Sequence, residues 1–176
     1  MNDIFEKPWD VVVIGGGPAG MMAAGRAAER GAKVLLIEKN DSLGNKLLIT
    51  GGGRCNVTNA ELDVRKLLAR FKEGEQFLFS AFSIWGVKET LDFFHNRGMD
   101  TKVEAEQRVF PLSNKAHSVW SVMVEYIRKS GVTILSNSPV TEILVEEGAT
   151  TGVRLKNKKE IDAKSVVLAT GGISHP

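Results

Sequence analysis

Cysteine is nearly absent from this chain, with one residue, Cys55, in 176. That excludes an internal disulfide framework and any Cys-rich metal site, and it fits a reducing cytoplasm. An excess of charge of one sign is lacking too. Lys and Arg total 23 against 21 Asp and Glu, a net charge of +2, which supplies no field on which to found binding to nucleic acid or to an acidic membrane surface. No apolar run reaches the roughly 18 residues of a membrane span, and the first ten residues carry charges without the apolar stretch of a signal peptide. The three histidines, His95, His117 and His175, are scattered. None stands beside a carboxylate or Cys at ligand spacing, so surface or capping roles are expected and no metal site is indicated. Repeats and low-complexity tracts are missing as well. What remains is ordinary globular composition, 43% hydrophobic and 25% charged, enough for one domain with a real core.

The most informative segment runs from Val11 to Glu38. An apolar stretch of strand length, Val11 to Ile14, meets Gly15-x-Gly17-x-x-Gly20. A helix-forming segment follows to Arg30, Gly31 stops it, and a second apolar run ends in Glu38. This is a nucleotide-binding βαβ unit in sequence form. Gly15 allows the tight turn off the strand, Gly17 lets backbone approach a pyrophosphate, and Gly20 lets the helix lie close to the sheet. Pro18 and Ala19 fall near the helix start, where a missing N–H costs nothing and the positive end of the dipole favours an anion. Glu38 is placed to accept hydrogen bonds from an adenosine ribose and would repel a ribose 2′-phosphate, which disfavours NADP at this site. The unit alone leaves the choice between FAD and NAD open.

The stretch Asn40 to Asn59 is rich in Gly, Asn and Thr and reads as a long loop with a function rather than a buried element. Val64, Leu67, Leu68 and Phe71 fall at helical spacing, as do Val87, Leu91 and Phe94, with Gly74 and Gly98 as stops. Between them Phe77 to Trp85 reads as a short buried helix, its aromatics core packing rather than flavin stacking. Asp100 to Pro111 suggests one or two short strands. Ser113 or Asn114 could cap a helix that carries Val119, Val122, Met123, Tyr126 and Ile127 to Gly131, and Val132 to Leu135 reads as a short buried strand. Val140 to Glu147, Thr150 to Lys156 and Glu160 to Ala163 form an antiparallel meander. Val166 to Ala169 is a further buried strand, closed by Thr170-Gly171-Gly172. Cys55 has no second Cys at disulfide-oxidoreductase spacing and reads as a small buried thiol. Arg54 follows a run of small residues whose N–H groups could converge on anionic or carbonyl oxygens, and it offers a fixed fork of donors suited to phosphate or to a reduced flavin. An ordinary surface or pairing arginine is the alternative.

The meander after the third parallel strand, followed by Ala169-Thr170-Gly171-Gly172, resembles the FAD-binding fold of glutathione-reductase-type flavoproteins. In that fold the meander replaces a crossover helix, and the second glycine motif backs the cofactor. The string Gly44-Asn45-Lys46-Leu47-Leu48-Ile49-Thr50-Gly51-Gly52-Gly53-Arg54-Cys55-Asn56-Val57-Thr58-Asn59, with Arg108-Val109-Phe110-Pro111, resembles the bacterial BaiN-type NAD(P)/FAD-dependent oxidoreductases over essentially the whole chain. The resemblance implies an α/β, Rossmann-like FAD-binding domain with a central parallel sheet, helices and an antiparallel β-meander. It implies Gly15, Gly17, Pro18, Ala19 and Gly20 at the pyrophosphate, with Glu38 on the adenosine ribose and Lys39 beside it. Lys46, Gly53, Arg54, Cys55 and Asn56 would lie at the pyrophosphate, ribityl or ring side. Val140 would meet adenine through its backbone, and Thr170, Gly171 and Gly172 would close over the cofactor.

Members of that family are considerably longer, so residues 1–176 are expected to form an incomplete FAD-binding domain. Its parts would be a βαβ unit at 10–38, a cofactor loop at 40–59, a helical segment at 60–131, a meander at 139–164 and the second glycine motif at 166–172. The substrate domain and a C-terminal FAD-contacting segment would be absent. The implied activity is NAD(P)H-dependent reduction of an unsaturated or oxidised small organic substrate through FAD, in the cytoplasm, without nucleic-acid or membrane partners. No residue is identifiable as catalytic. Two alternatives stay open: a non-catalytic dinucleotide-binding module that needs a partner or further chain, and half of an NAD-dependent dehydrogenase.

Overall fold

A computed structural model describes residues 4–6 and 8–172. In chain order the elements are β1 (Trp9–Ile14), α1 (Pro18–Glu29), β2 (Val34–Ile37), α2 (Asn45–Gly53), β3 (Thr58–Asn59) and α3 (Val64–Leu68). A 3₁₀ segment, Ala69–Gly74, leads into α4 (Glu75–Ile84), α5 (Val87–His95), β4 (Thr101–Glu104), β5 (Arg108–Pro111) and α6 (Ala116–Lys129). Then come β6 (Thr133–Leu135), β7 (Val140–Glu146), β8 (Ala149–Leu155) and β9 (Glu160–Leu168). The chain forms two compact units, one from residues up to 46 together with those from 123 onward, the other from residues 47–122.

The first unit is an α/β Rossmann-like layer built on a six-stranded sheet of order β6-β2-β1-β9-β8-β7. β6, β2, β1 and β9 are parallel, and β9, β8 and β7 are antiparallel. The expected strands at Glu160–Ala163 and Val166–Ala169 prove to be one. β9 pairs antiparallel with β8 through Ile161 and Asp162, then parallel with β1 from Ala163 to Leu168. The short polar stretch between the two halves does not break it, because Lys164 ties to Asp10 (Nζ to Oδ1, 2.7 Å) while Ser165 pairs with Val11. Val12, Leu35, Ile37, Val153, Leu155 and Ile161 form a buried cluster with Trp9. The β-branched residues fit a pleated, covered surface. α1 packs on β1, β2 and β9, and on its other contact, with α6, Gly25 leaves room for an aromatic ring. A Cβ there would lie 2.1 Å from the ring of Tyr126 on α6. Val132 to Leu135, expected to be buried, yields a shorter, half-buried strand, since β6 is an edge of the sheet.

The second unit holds a small antiparallel sheet of order β3-β5-β4 and the helices α3, α4 and α5. Asp63 caps α3 by accepting from Arg65 N at 2.9 Å, and at the start of α5 the Glu89 carboxylate accepts from Gly86 N at 2.9 Å. Buried Leu67, Leu68, Val87, Phe93, Phe94, Val109 and Phe110 supply its core. Two expectations fail in this unit. The stretch 40–59 is not wholly loop, since Asn45–Gly53 contains helical turns with a kink at Thr50 and Thr58–Asn59 forms a strand. Lys46 to Ile49 are competent helix formers, and Leu47 is buried. Gly74 is the stop expected of it, closing the 3₁₀ segment before Glu75 begins α4. The helix at Phe77 to Trp85 forms as Glu75–Ile84 but has no buried residue, and Phe77 is 87% and Ile84 77% exposed.

Candidate dinucleotide-binding site

β1 delivers its last residue, Ile14, to a turn that only glycine can make. Gly15 sits at φ +107, and a Cβ on it would lie 2.4 Å from the carbonyl oxygen of Ala169. The first glycine turn and the start of the second glycine motif therefore touch through bare backbone. Gly20 is required for a different reason: a Cβ there would come within 1.8 Å of Gly15 O. Gly17, the N-cap of α1, has open space in the same test and makes no side-chain cap hydrogen bond. Pro18 stands at the helix start, and the first turn holds no acidic residue. First-turn N–H groups have no intrahelical acceptor, so α1 presents donors and a positive dipole end to an anion.

Among the described residues of the first unit Glu38 is the buried charged one, 7% exposed. Its main chain is fixed on both sides: Glu38 N donates to Leu135 O at 2.9 Å, and Glu38 O accepts from Ser138 N at 3.0 Å. Its carboxylate closes the glycine turn. Gly16 N donates to Oε2 at 2.7 Å, while Asn40 donates to Oε1 from its backbone N at 2.9 Å and from Nδ2 at 2.7 Å. A carboxylate offers about four accepting positions. Three are used, and one on Oε2 is left for a ligand hydroxyl.

Beside Glu38 lies a cleft of about 210 Å³. Ile14, Gly15, Ile37, Glu38 and Lys39 line it from the βαβ unit, Ser138, Pro139 and Val140 from the start of the meander, and Thr170 from the second glycine motif. Asn137, at φ +53, turns the chain into this position and donates to Asn40 O at 2.8 Å. Lys156 N donates to Pro139 O at 2.8 Å and fixes the segment from its other side. The cleft has the dimensions of part of a dinucleotide rather than the whole, whole-ligand pockets running at about 300–1,000 Å³. Lys46 reaches the second motif, its Nζ donating to Gly172 O at 3.2 Å, and Gly171 turns at φ +81. The residues thus fit an adenosine diphosphate moiety: a bare glycine turn, a helix start free of acids, a buried carboxylate and an apolar slot.

Gly53, Arg54, Cys55 and Asn56 belong to the second unit. Gly51, Gly52 and Gly53 have φ of +56, +66 and +81, and Cys55 follows at +59, a left-handed conformation that costs a non-glycine residue energy. Cys55 is buried as expected, its N donating to Thr50 O at 3.0 Å, and burial pushes its thiol up from the usual value. Arg54 Nη1 donates to both oxygens of Glu104 at 3.0 Å, and its guanidinium stacks 4.1 Å over the Phe110 ring. His95 meets Thr101 Oγ1 at 2.8 Å and His117 meets Ser121 Oγ at 3.2 Å. His175 lies outside the described residues. Asn40, Ser138, Pro139 and Glu104 were not evident from sequence. The Pro139 that precedes the first meander strand was the available signal for the cleft, and nothing in the sequence links Glu104 to Arg54.

Residues 9–176 match the family model of the HI0933-like protein Rossmann domain. The chain belongs to that family. This HI0933-like domain is 32% identical over 162 residues to the 3-dehydro-bile acid delta(4,6)-reductase of Clostridium scindens, covering 91% of this chain and 38% of that protein. It is 29% identical over 169 residues to the ribosomal RNA dihydrouridine synthase of Escherichia coli, covering 96% of this chain and 40% of that protein. The chain therefore spans about two fifths of the length of these relatives. Its fold is shared with the 3-ketosteroid-delta4-(5alpha)-dehydrogenase of Rhodococcus jostii RHA1, at a TM-score of 0.71 and 20% identity, over 98% of this chain and 47% of that one. Among the described residues no helix is long and apolar enough to cross a membrane.

Proposed function

We propose that this HI0933-like domain is the FAD-binding portion of a BaiN-type flavoprotein oxidoreductase that uses NAD(P)H to reduce an unsaturated or oxidised small organic molecule. The observation that carries the reading is the contact of the Gly15 turn with Ala169, beside a buried Glu38 that retains one accepting position. Two glycine motifs held against each other at one carboxylate suit a dinucleotide with an adenosine end. Bound FAD would supply the chemistry, taking two electrons from a nicotinamide and passing them to the substrate.

The residues of the chain then have separate tasks. Gly15, Gly17, Pro18, Ala19 and Gly20 shape the α1 start for a pyrophosphate. Glu38 accepts from the adenosine ribose and rejects a 2′-phosphate there, with Lys39 beside it. Val140 offers backbone to adenine, and Thr170, Gly171 and Gly172 close over the cofactor with Lys46 behind them. Gly53, Arg54, Cys55 and Asn56 serve its pyrophosphate, ribityl or ring side. A delta(4,6)-reductase among the relatives supports an unsaturated substrate. The dihydrouridine synthase makes RNA the competing substrate, and the net charge of +2 favours a small molecule. The cytoplasm is the proposed location.

The test is the visible spectrum of the purified chain, with any cofactor released by heat and identified. The reading requires FAD, and its reduction on adding NADH or NADPH. Cofactor binding without turnover is the second reading. It is favoured by one observation: the titratable residues of the cleft are Glu38 and Lys39, and Glu38 already holds three donors. Bound FAD that neither nicotinamide reduces would select it.

A further inference from the structure

The Glu38 carboxylate is held more completely than a ribose acceptor needs, and one residue supplies most of the hold. Asn40 donates to Oε1 twice, from its backbone N at 2.9 Å and from its amide Nδ2 at 2.7 Å, so both lone-pair positions of that oxygen are occupied. Gly16 N takes one position of Oε2 at 2.7 Å. The carboxylate cannot turn over without breaking a bond at each oxygen, and its open position is confined to Oε2. Gly16 is fixed in turn. Gly44 N donates to Gly16 O at 3.0 Å, and buried Leu43 stands so near that a Cβ on Gly16 would lie 2.3 Å from Leu43 Cδ2. Asn40 O accepts from Asn137 N at 2.8 Å, at the left-handed turn that leads into Ser138, Pro139 and Val140. All these residues belong to the first unit. The backbone bonds of Asn40 would form with almost any residue at that position, whereas the Nδ2 bond needs this side chain and acts on the carboxylate alone.

From this geometry we propose that Asn40 is a positioning residue for the adenosine ribose, its amide filling Oε1 so that Glu38 receives a single ribose hydroxyl, at the open position on Oε2. The inference rests on the FAD reading above and extends it to a residue outside the lining of the cleft. A carboxylate fixed in advance loses no rotamer freedom when the hydroxyl arrives, so the amide acts on affinity through Glu38 and only for ligands that carry the hydroxyl.

Calorimetric titration of cofactor-free chain with ADP, the adenosine diphosphate end of FAD, and with 2′,3′-dideoxy-ADP, which lacks both ribose hydroxyls, tests this. Wild type is expected to prefer ADP about tenfold, the effect of one hydrogen bond to a charged acceptor. In Asn40→Ala the preference should fall to about threefold or less, while the dideoxy ligand binds within about twofold of wild type. In a Glu38→Gln background Asn40→Ala should leave the ratio where Glu38→Gln alone puts it, because the amide acts through the carboxylate. Equal weakening of both ligands in Asn40→Ala marks a structural role and overturns the proposal, and so does a ratio that stays or rises. A second measurement needs no variant. With a single open position, one of 2′-deoxy-ADP and 3′-deoxy-ADP should bind wild type as ADP does and the other as the dideoxy ligand does, and equal losses in both overturn the proposal even if Asn40→Ala fails to fold. A wild-type chain that binds neither ADP nor FAD sinks the cofactor reading and the proposal together, whereas one that binds both with an unchanged ratio in Asn40→Ala sinks the proposal alone.

Discussion

Replacing Glu38 with Gln changes one atom and sets three hydrogen bonds in conflict. The carboxylate accepts from Gly16 N on one oxygen and from two nitrogens of Asn40 on the other, at 2.7 to 2.9 Å. A Gln has one accepting oxygen, and whichever way the amide turns, its NH₂ faces a donor. With the oxygen toward Asn40, the buried Gly16 N–H loses its acceptor, a loss of about 1–3 kcal/mol. The surviving bonds lose their charge assistance, about 1 kcal/mol more. The sum, about 2–4 kcal/mol, lowers the unfolding midpoint of a chain of this size by roughly 4–16 °C, at about 2–4 °C per kcal/mol. Thermal unfolding should be followed on cofactor-free protein, so that ligand stabilisation does not enter. Lys39→Gln, an exposed neighbour, serves as control and should stay within about 0.5 kcal/mol of wild type. A Glu38→Gln chain as stable as that control would refute the reasoning, because the carboxylate could not then be the acceptor that closes the glycine turn.

Gly20→Ala should destabilise by about 3 kcal/mol or more, since the new Cβ meets backbone at 1.8 Å; a wild-type midpoint in urea would contradict it. Cys55, its thiol pushed up by burial, should react with iodoacetamide slowly at neutral pH and at the rate of a free thiol only in denaturant; rapid labelling of the native chain would count against the burial. Lys102 and then Arg54 hold the Glu104 carboxyl below the usual carboxylate range. The folded value lies under the unfolded one, so the stabilisation is complete above the unfolded value and is lost as pH falls through the folded one. Glu104→Gln should therefore show a shallower loss of stability in acid, and an identical acid limb would show that the pairing adds nothing.

The βαβ unit was legible because its requirements are local. Gly15 needs a positive φ, Gly20 a missing Cβ, and both are written as glycine. Glu38 stood out in the sequence as a candidate acceptor at the end of β2, but its grip on Gly16 and Asn40 was not legible, because hydrogen-bond partners depend on how the turn folds back. β9 read as two strands because Lys164 and Ser165 interrupt the apolar pattern, while their pairing with β1 and Asp10 is a long-range fact. α4 read as buried because apolar content was taken as burial. Its Phe77 and Ile84 are exposed, and exposed apolar surface is not excluded by composition. Glu104 stands 50 residues from Arg54, outside any motif that spacing could reveal.

The central claim is that the site takes FAD. Calorimetric titration of cofactor-free chain with FAD, NAD and NADP tests it most directly. One FAD per chain, weaker NAD and no NADP at this site are expected, because Glu38 would repel a ribose 2′-phosphate. Saturable binding of NAD with none of FAD would contradict it.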